Sequence, residues 1–172
     1  AEHAIPAEMV INDIARRDLP RARGTAVFLT SEMTGAPIAL LHNIKHNEVV
    51  HQQNVFLTVL TEDVPFVPEE ERLEARDLGN GFYRFIARFG FMEQPDIPLL
   101  LESAGKAGVK IDPARATYIL SRENVIRGRR RKMTRLREML FVFMKRNARD
   151  AAAYFGLPPN RVIELGMQIE MS

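Results

Sequence analysis

Residues 24–47, GTAVFLTSEMTGAPIALLHNIKHN, and the apolar run NVFLTVLT at residues 54–61 decide the fold. The first stretch opens with β-branched and apolar residues, which predict a buried strand. Pro37 then introduces a helix that continues through IALLHNIKHN, and the second run predicts another buried strand. Because a strand, a helix and a strand follow one another within residues 24–61, we expect a βαβ unit with parallel strands.

The segment after the βαβ unit has the two-residue period of a hairpin. Residues 72–78 and 82–91 flank the turn sequence GNG, which favours a tight antiparallel connection. In the second arm, aromatic and apolar residues alternate with Arg84 and Arg88, so we expect one buried face and one polar face. The hairpin adds antiparallel strands to the parallel pair.

The rest of the chain predicts further elements around this centre. Met9, Val10 and Ile14 line a short helix in the lead-in, and residues 16–23 are interpreted as a linker. Five later elements are a helix from Asp96 to Ala107, a strand at 116–121, an amphipathic helix at 133–147, a short helix ending at Gly156 and an alternating strand at 161–171. In the last strand, the apolar residues that begin with Ile163 are expected to face the core. The sum is a single α/β domain with a mixed parallel and antiparallel sheet flanked by helices.

The composition describes an ordinary globular domain without thiol chemistry. The 172 residues are 46% hydrophobic and 27% charged, with a net charge of +2, which excludes a disordered chain. There is no cysteine, so disulfides and thiolate catalysis are excluded. No apolar run reaches the roughly 18 residues of a membrane span, and no signal-peptide pattern opens the sequence.

The sequence carries no familiar catalytic signature. It has no G-x-S-x-G nucleophile motif, no G-x-G-x-x-G motif and no P-loop pattern. The carboxylate pair Glu62-Asp63 lies in the turn signal EDVP, where an aspartate supports the turn by hydrogen bonding. We therefore do not expect an enzyme.

Three of the four histidines lie in HNIKHNEVVH, residues 42–51. His42 and His46 are four apart, which places two imidazoles on one helix face, and His51 follows five residues later. A zinc site needs three or four ligands, and the neighbouring asparagines are poor ones. A capped, partly buried helix is therefore favoured over a metal site.

The sharpest charge feature is residues 127–137, RGRRRKMTRLR, with seven basic residues and no acidic one. At the start of the helix expected from residue 133, positive charge opposes the helix dipole at about 0.3–1 kcal/mol per close charge. A bound anion would be favoured by free backbone N–H groups and by guanidinium forks. We weigh an anion- or lipid-binding site against a solvated loop, and the site's residues would be Arg127, Arg129, Arg130, Arg131 and Lys132.

Five blocks in register resemble one known family. GTAVFLTSEMTGAPIALLHNIKHN, VFLTVLTEDVP, ARFGFMEQPDIP, TYILSRE and YFGLPPNRVIELG occur in this order. Together they resemble the C-terminal cytoplasmic domain of the bacterial Kup-type (KUP/HAK/KT) potassium uptake permeases over residues 5–170. The family's form of residues 40–47 is close to LLHNLKHN, so the resemblance assigns the His-Asn segment to the fold. Many relatives have a Pro/Gly-containing loop where this chain has RGRRRK, so the basic run departs from the family pattern.

The resemblance implies a role in potassium transport. It makes residues 1–23 the connector that follows the last membrane helix, and residues 24–172 an α/β domain at the cytoplasmic face of the cell membrane. The family couples potassium uptake to protons through its membrane helices, so this domain is expected to regulate or assemble the transporter without transporting by itself.

The resemblance also implies partners and an effector. The expected partners are the transmembrane part of the same transporter, anionic inner-leaflet lipid and a second copy of the chain in a homodimer. Some family members are inhibited by cyclic di-adenosine monophosphate, so a cyclic dinucleotide is the candidate effector. No resident cofactor or metal is expected.

A free-standing nucleotide- or nucleic-acid-binding protein is the alternative. It would use the basic run at 127–137, but basic segments that bind nucleic acid strands usually lie beside stacking aromatics. The nearest upstream aromatic residue is Tyr118, and Phe141 belongs to the apolar stripe of the expected helix. Specific nucleic-acid binding is therefore not expected, and an enzyme ranks third.

Overall fold

The computed structural model describes residues 5–121 and 148–165. The helices are α1 Ala7–Arg17, α2 Ile38–Asn47, α3 Glu69–Arg72, α4 Ile97–Ser103 and α5 Ala148–Phe155, with 3-10 turns at Ala104–Ala107 and Pro159–Arg161. The strands are β1 Arg21–Leu29, β2 Val50–Glu62, β3 Leu73–Gly79, β4 Phe82–Gly90, β5 Thr117–Ser121 and β6 Val162–Leu165. They form one sheet in the order β3-β4-β2-β1-β5-β6, in which β3 is antiparallel to β4 and the other described pairs are parallel. The α/β class with a mixed sheet is confirmed.

The central βαβ unit forms as expected. β1 and β2 run parallel, with Val27 beside Val55 and Leu29 beside Leu57, and α2 connects them. Pro37 is the N-cap of α2, where its fixed φ suits the start of a helix. The parallel pairing predicted from the two apolar runs is confirmed.

The hairpin is also confirmed. β3 and β4 pair antiparallel, and β4 pairs parallel to β2 on its other side. Both turn residues, Asn80 and Gly81, have positive φ, as a type I′ turn requires. A Cβ on Gly81 would lie 2.5 Å from Gln52 O, so the close approach of β2 also excludes a side chain at this position.

Helices cover both faces of the sheet. On the first face, α4 and α5 pack over alternate residues of the central strands, in a cluster that includes Val27, Leu57, Phe85, Tyr118 and Phe155. On the second face, α1 and α2 pack over the intervening residues, in a cluster that includes Ile11, Phe28, Leu40, Phe56 and Phe82. Because neighbouring strand residues enter opposite clusters, the central strands are apolar on both faces, as expected for a parallel sheet between helix layers.

The lead-in contributes more to the fold than expected. α1 forms and buries Val10 and Ile14 as expected, together with Ala7 and Ile11, against the second face, but Met9 is 63% exposed. Of residues 16–23, interpreted as a linker, Arg16 and Arg17 end α1 and residues 21–23 begin β1, so that interpretation is wrong for them. The position of residues 1–23 after a membrane helix stays a prediction.

The last strand differs from its expected pattern. Ile163 is 47% exposed, so the expectation that it begins a buried face is wrong. Val162 lies beside Tyr118 and packs on the first face, whereas Ile163 lies beside Ile119 at the edge of the sheet. Residues 166–171 of the expected strand and the helix expected at 133–147 lie outside the described residues.

Two helix boundaries follow the sequence signals. The Asp96 side chain accepts a hydrogen bond from Leu99 N at 3.1 Å, so the predicted N-cap of α4 is confirmed. The 3-10 turn after α4 ends at Gly108, with φ of 87°, and α5 ends before Gly156, with φ of 69°. Both glycines adopt the left-handed conformation that commonly ends a helix.

Candidate functional site

The parallel strands bring several loops to one end of the sheet, here called the carboxyl edge. In open α/β sheets, ligands bind outside the carboxyl ends of the strands. β1 ends beside Leu57 of β2, but β2 and β4 continue as a pair to Glu62 and Gly90. The five residues from 58 to 62, at roughly 3.3 Å each, extend β2 about 16 Å beyond β1. The carboxyl edge is therefore stepped, and the extended pair is here called the projecting arm.

Arg84 fastens the loop that leaves β1, residues 30–37. It lies on the second face of β4 and is 6% exposed. Its Nη1 donates to Glu32 O at 2.7 Å and its Nη2 donates to Gly35 O at 2.8 Å. Burial lowers the pKa of Arg84, while the negative charges of Glu8 and Glu32 oppose that shift. A guanidinium fork thus holds the loop against the sheet.

Two threonine hydroxyls fix the start of the same loop. Thr58 Oγ1 donates to Thr30 O at 2.8 Å, and Thr30 Oγ1 accepts from Glu32 N at 3.0 Å. Both threonines are fully buried. These hydroxyls are engaged in holding the backbone, as buried polar groups generally are.

The loop after β1 also receives the N-terminal end of the described chain. Ala36 N donates to Ile5 O at 2.9 Å, and Ala7 N donates to Thr34 O at 3.3 Å. α1 then runs back across the second face and leads into β1. The polypeptide that precedes Ile5 therefore joins the domain at the carboxyl edge.

Arg72 fastens the projecting arm through an ion pair. Its Nη2 donates to Glu93 Oε2 at 2.5 Å and its Nε donates to Glu69 Oε1 at 2.9 Å. Its Nη1 donates to Arg88 O at 3.1 Å, and Nη2 also donates to Val67 O at 3.0 Å. Burial lowers the pKa of Arg72, but its hydrogen bonds to the two carboxylates outweigh burial and raise it. The hydrogen bond from Arg72 in turn lowers the pKa of Glu93 to about 2.

Glu93 joins the two segments that end the projecting arm. Its Oε1 accepts hydrogen bonds from Val67 N and Gly90 N, both at 2.8 Å. Segment 63–68, which follows β2, is thereby tied to segment 91–95, which follows β4. The two segments carry four exposed apolar residues, here called the apolar tip: Val64, Phe66, Phe91 and Met92.

The histidines of residues 42–51 do not converge on a metal site. The His42 and His46 rings lie 4.3 Å apart on α2, and burial lowers the pKa of His51 on β2. Throughout residues 5–121 and 148–165, no group of three or more metal-ligating side chains occurs.

Asparagines in the same segment secure the end of α2. Asn43 Nδ2 donates to Val49 O at 2.8 Å, and Asn47 Nδ2 donates to Asn43 Oδ1 at 2.6 Å. These bonds hold the turn between α2 and β2. The His-Asn segment therefore has a structural role.

The predicted anion site lies outside the described residues. Arg127, Arg129, Arg130, Arg131 and Lys132 fall between Ser121, where β5 ends, and Ala148, where α5 begins. Tyr118, the nearest upstream aromatic residue, is fully buried and donates its hydroxyl to Pro113 O at 3.0 Å, and burial raises its pKa to about 12. It is therefore not available to stack on a base.

Sequence reasoning missed the two buried arginines and the apolar tip. Arg84 was expected on a polar face, but the loop after β1 folds over it. Phe66 was the available signal for the tip, because it lies between two Val-Pro pairs in a turn, outside any strand or helix period. An aromatic residue at such a position contributes nothing to the predicted core.

Comparison with known proteins identifies the family. The model of the K+ potassium transporter C-terminal domain matches residues 23–171. The chain belongs to this family. This potassium transporter domain is 46% identical over 165 residues to "Probable potassium transport system protein Kup 2" of Syntrophobacter fumaroxidans, and 48% identical over 170 residues to "Probable potassium transport system protein Kup" of Pseudomonas putida. The resemblance drawn from the five sequence blocks is confirmed.

The potassium transporter domain corresponds to about a quarter of these relatives. The two matches cover 96% and 99% of the chain but 26% and 27% of the relatives. A third relative, a Kup protein of Anaeromyxobacter sp. strain K, is 46% identical over 172 residues, which are 97% of the chain and 26% of that protein. No solved structure matches the chain. None of the helices in the described ranges is long and apolar enough to cross a membrane.

Proposed function

We propose that the chain is a regulatory and assembly domain at the cytoplasmic face of a proton-coupled potassium uptake transporter, with no transport activity of its own. The observation that carries this proposal is the match to the K+ potassium transporter C-terminal domain over residues 23–171. Relatives about four times as long, named as potassium transport proteins, support a larger protein in which this domain is one part.

The geometry suits a domain that responds to, or acts on, the rest of a larger chain. The polypeptide enters at the carboxyl edge, where Ile5 is bonded to the loop after β1. That loop is held by Arg84 on β4, the second strand of the described sheet. A displacement of Ile5 would therefore act on the sheet through this loop.

Ion uptake in cells tests the proposal. A bacterial strain without potassium uptake systems would carry the full-length protein, the same protein ending before Ile5, or residues 1–172 alone, and rubidium uptake would be measured. We expect no uptake from residues 1–172 alone, and an altered maximum rate or KM in the truncated protein at equal membrane abundance. If the truncated protein matches the full-length protein at every ion concentration, the regulatory and assembly role is wrong.

The basic run is proposed as an anion-binding segment of this domain. Arg127, Arg129, Arg130, Arg131 and Lys132 would attract phosphate groups, either of anionic inner-leaflet lipid or of a cyclic dinucleotide effector. Attraction to an anionic surface is worth about 1 kcal/mol per residue close to it and weakens as salt shortens the Debye length from about 10 Å at 0.1 M.

Vesicle binding separates the two sources of phosphate. We expect the chain to bind phosphatidylglycerol vesicles at low salt, and binding to fall when Arg129, Arg130 and Arg131 are replaced by alanine. Saturable binding of cyclic di-adenosine monophosphate without vesicle binding would assign the segment to the nucleotide. If the triple variant binds both probes as the parent does, the basic run is a solvated loop.

Weak self-association is the proposed assembly role. β6 is the terminal strand of the described sheet, and Ile163 on it is 47% exposed. An edge strand presents unpaired backbone groups that a second copy can pair with. Sedimentation that finds only monomer at high concentration would refute this part of the proposal. The free-standing nucleic-acid-binding alternative has less support, because Tyr118 is buried and the relatives are far longer.

A further inference from the structure

The apolar tip is the largest concentration of exposed apolar side chains at one place in the described structure. Val64 is 45% exposed, Phe66 64%, Phe91 54% and Met92 65%. Single exposed apolar residues are normal, but a contiguous apolar surface marks an interaction site. Folding of the described domain gains nothing from the exposed parts of these side chains.

Backbone hydrogen bonds join the two segments of the tip to each other. Phe91 N donates to Val64 O at 2.8 Å, and Met92 N donates to Pro65 O at 3.1 Å. A Cβ on Gly90 would lie 2.2 Å from Pro65 O, so the two segments approach as closely as backbones can. Because these backbone contacts already order the two segments, a partner that binds this surface loses little backbone conformational entropy in ordering them.

The charge around the tip is negative. In the segments that carry or adjoin the tip, residues 63–72 and 91–96, the exposed charged residues are all acidic: Asp63, Glu69, Glu70, Glu71 and Asp96. The one arginine of these segments, Arg72, is buried. An anionic lipid surface would be repelled, whereas a basic protein surface would be attracted.

The tip also projects in the direction from which the chain enters. Ile5 is bonded to the loop after β1 at the carboxyl edge, and the projecting arm extends about 16 Å beyond β1 from the same edge. Whatever precedes Ile5 in a longer protein is therefore tethered within reach of the tip. Tethering raises the effective concentration of such a partner to about the millimolar range.

We propose that the apolar tip docks onto the polypeptide that precedes Ile5 in the full-length protein, at its basic cytoplasmic loops. This inference rests on the proposed function, in which that polypeptide is the membrane part. Cytoplasmic loops of membrane proteins carry an excess of lysine and arginine, which complements the acidic surroundings of the tip. Apolar residues between those basic ones would cover Phe66 and Met92.

Site-specific photo-crosslinking in the full-length protein, in its native membrane, tests the docking. The photoreactive residue p-benzoylphenylalanine would replace Phe66 or Met92, and Lys106 as the control. Lys106 is exposed in the 3-10 turn after α4, outside the tip. We expect both tip positions to crosslink to peptides that precede Ile5, mapped by mass spectrometry, and the control position not to do so. Crosslinks to lipid, to a second copy of residues 5–165, or to nothing would overturn the proposal.

A charge introduced into the tip provides a second test. With the photoreactive residue at Met92, Phe66→Glu is expected to lower the yield of that crosslink at least fivefold. The matched control is Leu99→Glu, which changes a 62% exposed apolar residue of α4, outside the tip, and should leave the yield unchanged. Equal yields from the two variants would refute docking through the apolar surface.

The results of these experiments distinguish a failure of the docking proposal from a failure of the proposed regulatory function. If truncation before Ile5 alters rubidium uptake but the tip crosslinks elsewhere, the domain regulates transport through another surface. If the tip crosslinks to the preceding polypeptide but truncation changes nothing, docking stands and the regulatory role is wrong.

Discussion

Arg72 and Arg84 are buried on opposite faces of the sheet, and their charges are compensated differently. The Arg72 guanidinium carbon lies 4.7 Å from the ring centroid of Phe89 on the first face, and that of Arg84 lies 5.3 Å from Phe56 on the second. Arg72 meets the carboxylate of Glu93, whereas Arg84 donates to two backbone carbonyl oxygens. Both fasten a loop at the carboxyl edge.

The difference determines what each arginine leaves behind when it is removed. Without Arg72, the carboxylate of Glu93, whose side chain is 18% exposed, loses its counter-ion. Without Arg84, the carbonyl oxygens of Glu32 and Gly35 each lose a hydrogen-bond donor, but no charged group loses its counter-ion. Since an unpaired buried charge costs more than an unpaired carbonyl, the projecting arm depends more strongly on its arginine than the loop after β1 does.

The largest effect is therefore expected from Arg72→Ala. Removal of one partner of a buried ion pair costs about 3–5 kcal/mol, so the free energy of unfolding should fall by that order in denaturant titrations. The matched control is Arg76→Ala, an exposed position on β3, which should change stability by less than about 0.5 kcal/mol. Equal midpoints for the two variants would show that the ion pair does not hold the arm.

A smaller loss is expected from Arg84→Met. Methionine keeps the apolar contact with Phe56 but removes both hydrogen bonds, and a buried unpaired carbonyl costs about 1–3 kcal/mol. Part of that cost is offset because a buried charge also disappears, so a loss of about 2 kcal/mol is expected. Hydrogen exchange should become faster in residues 30–37 and stay unchanged in the hairpin turn.

Arg88→Met is the matched control for that variant. Arg88 lies on the same face of the same strand, but it is 31% exposed and forms ion pairs with Glu62 and Glu74, both at 3.3 Å. Pairs of this kind are worth about 0–1 kcal/mol. If Arg88→Met destabilises the domain as much as Arg84→Met, the hydrogen bonds from Arg84 to the two carbonyl oxygens have no special role.

The sheet could be predicted from the sequence because its signals are local. Residues 54–61 are apolar on both faces, which favours a central parallel strand, and GNG at residues 79–81 specifies a two-residue hairpin turn. Asp96 and Gly108 marked the limits of α4 and its 3-10 extension in the same way. Each of these residues acts on its own neighbours along the chain.

The loop fastenings could not be predicted because they depend on distant segments. Alternation in β4 assigns Arg84 to the face opposite Phe85, but it does not reveal that residues 30–37 cover that face. Glu93 likewise reaches Val67, which is 26 positions earlier, and no periodic pattern connects them. The basic run was identified only by its positive charge, and residues 127–137 lie outside the described residues, so its predicted anion site stays a prediction.

The effect of Glu93→Gln on stability is expected to depend on pH. Glutamine keeps one oxygen that can accept from Val67 N and Gly90 N, but it replaces the negatively charged oxygen that accepts from Arg72 Nη2 with an amide group that can only donate. Because the pKa of Glu93 is lowered from 4.5 to about 2, the ionised carboxylate stabilises the folded state fully above pH 4.5. That contribution is lost progressively as the pH falls from 4.5 towards 2, since the unfolded chain then binds a proton that the folded chain does not.

The difference in unfolding free energy between the parent and Glu93→Gln should therefore be largest near neutral pH and shrink below pH 4.5. Denaturant titrations from neutral pH down to about pH 2 measure it. The matched control is Glu74→Gln, on a carboxylate that is 57% exposed and faces Arg88, which should differ little from the parent at any pH. A constant difference for Glu93→Gln across the acid range would mean that the folded state does not favour the ionised carboxylate, so that its charge contributes nothing to stability. In that case the contributions of Arg72 and Arg84 to stability would be more alike than their hydrogen-bond partners indicate, because neither contribution would come from a paired charge.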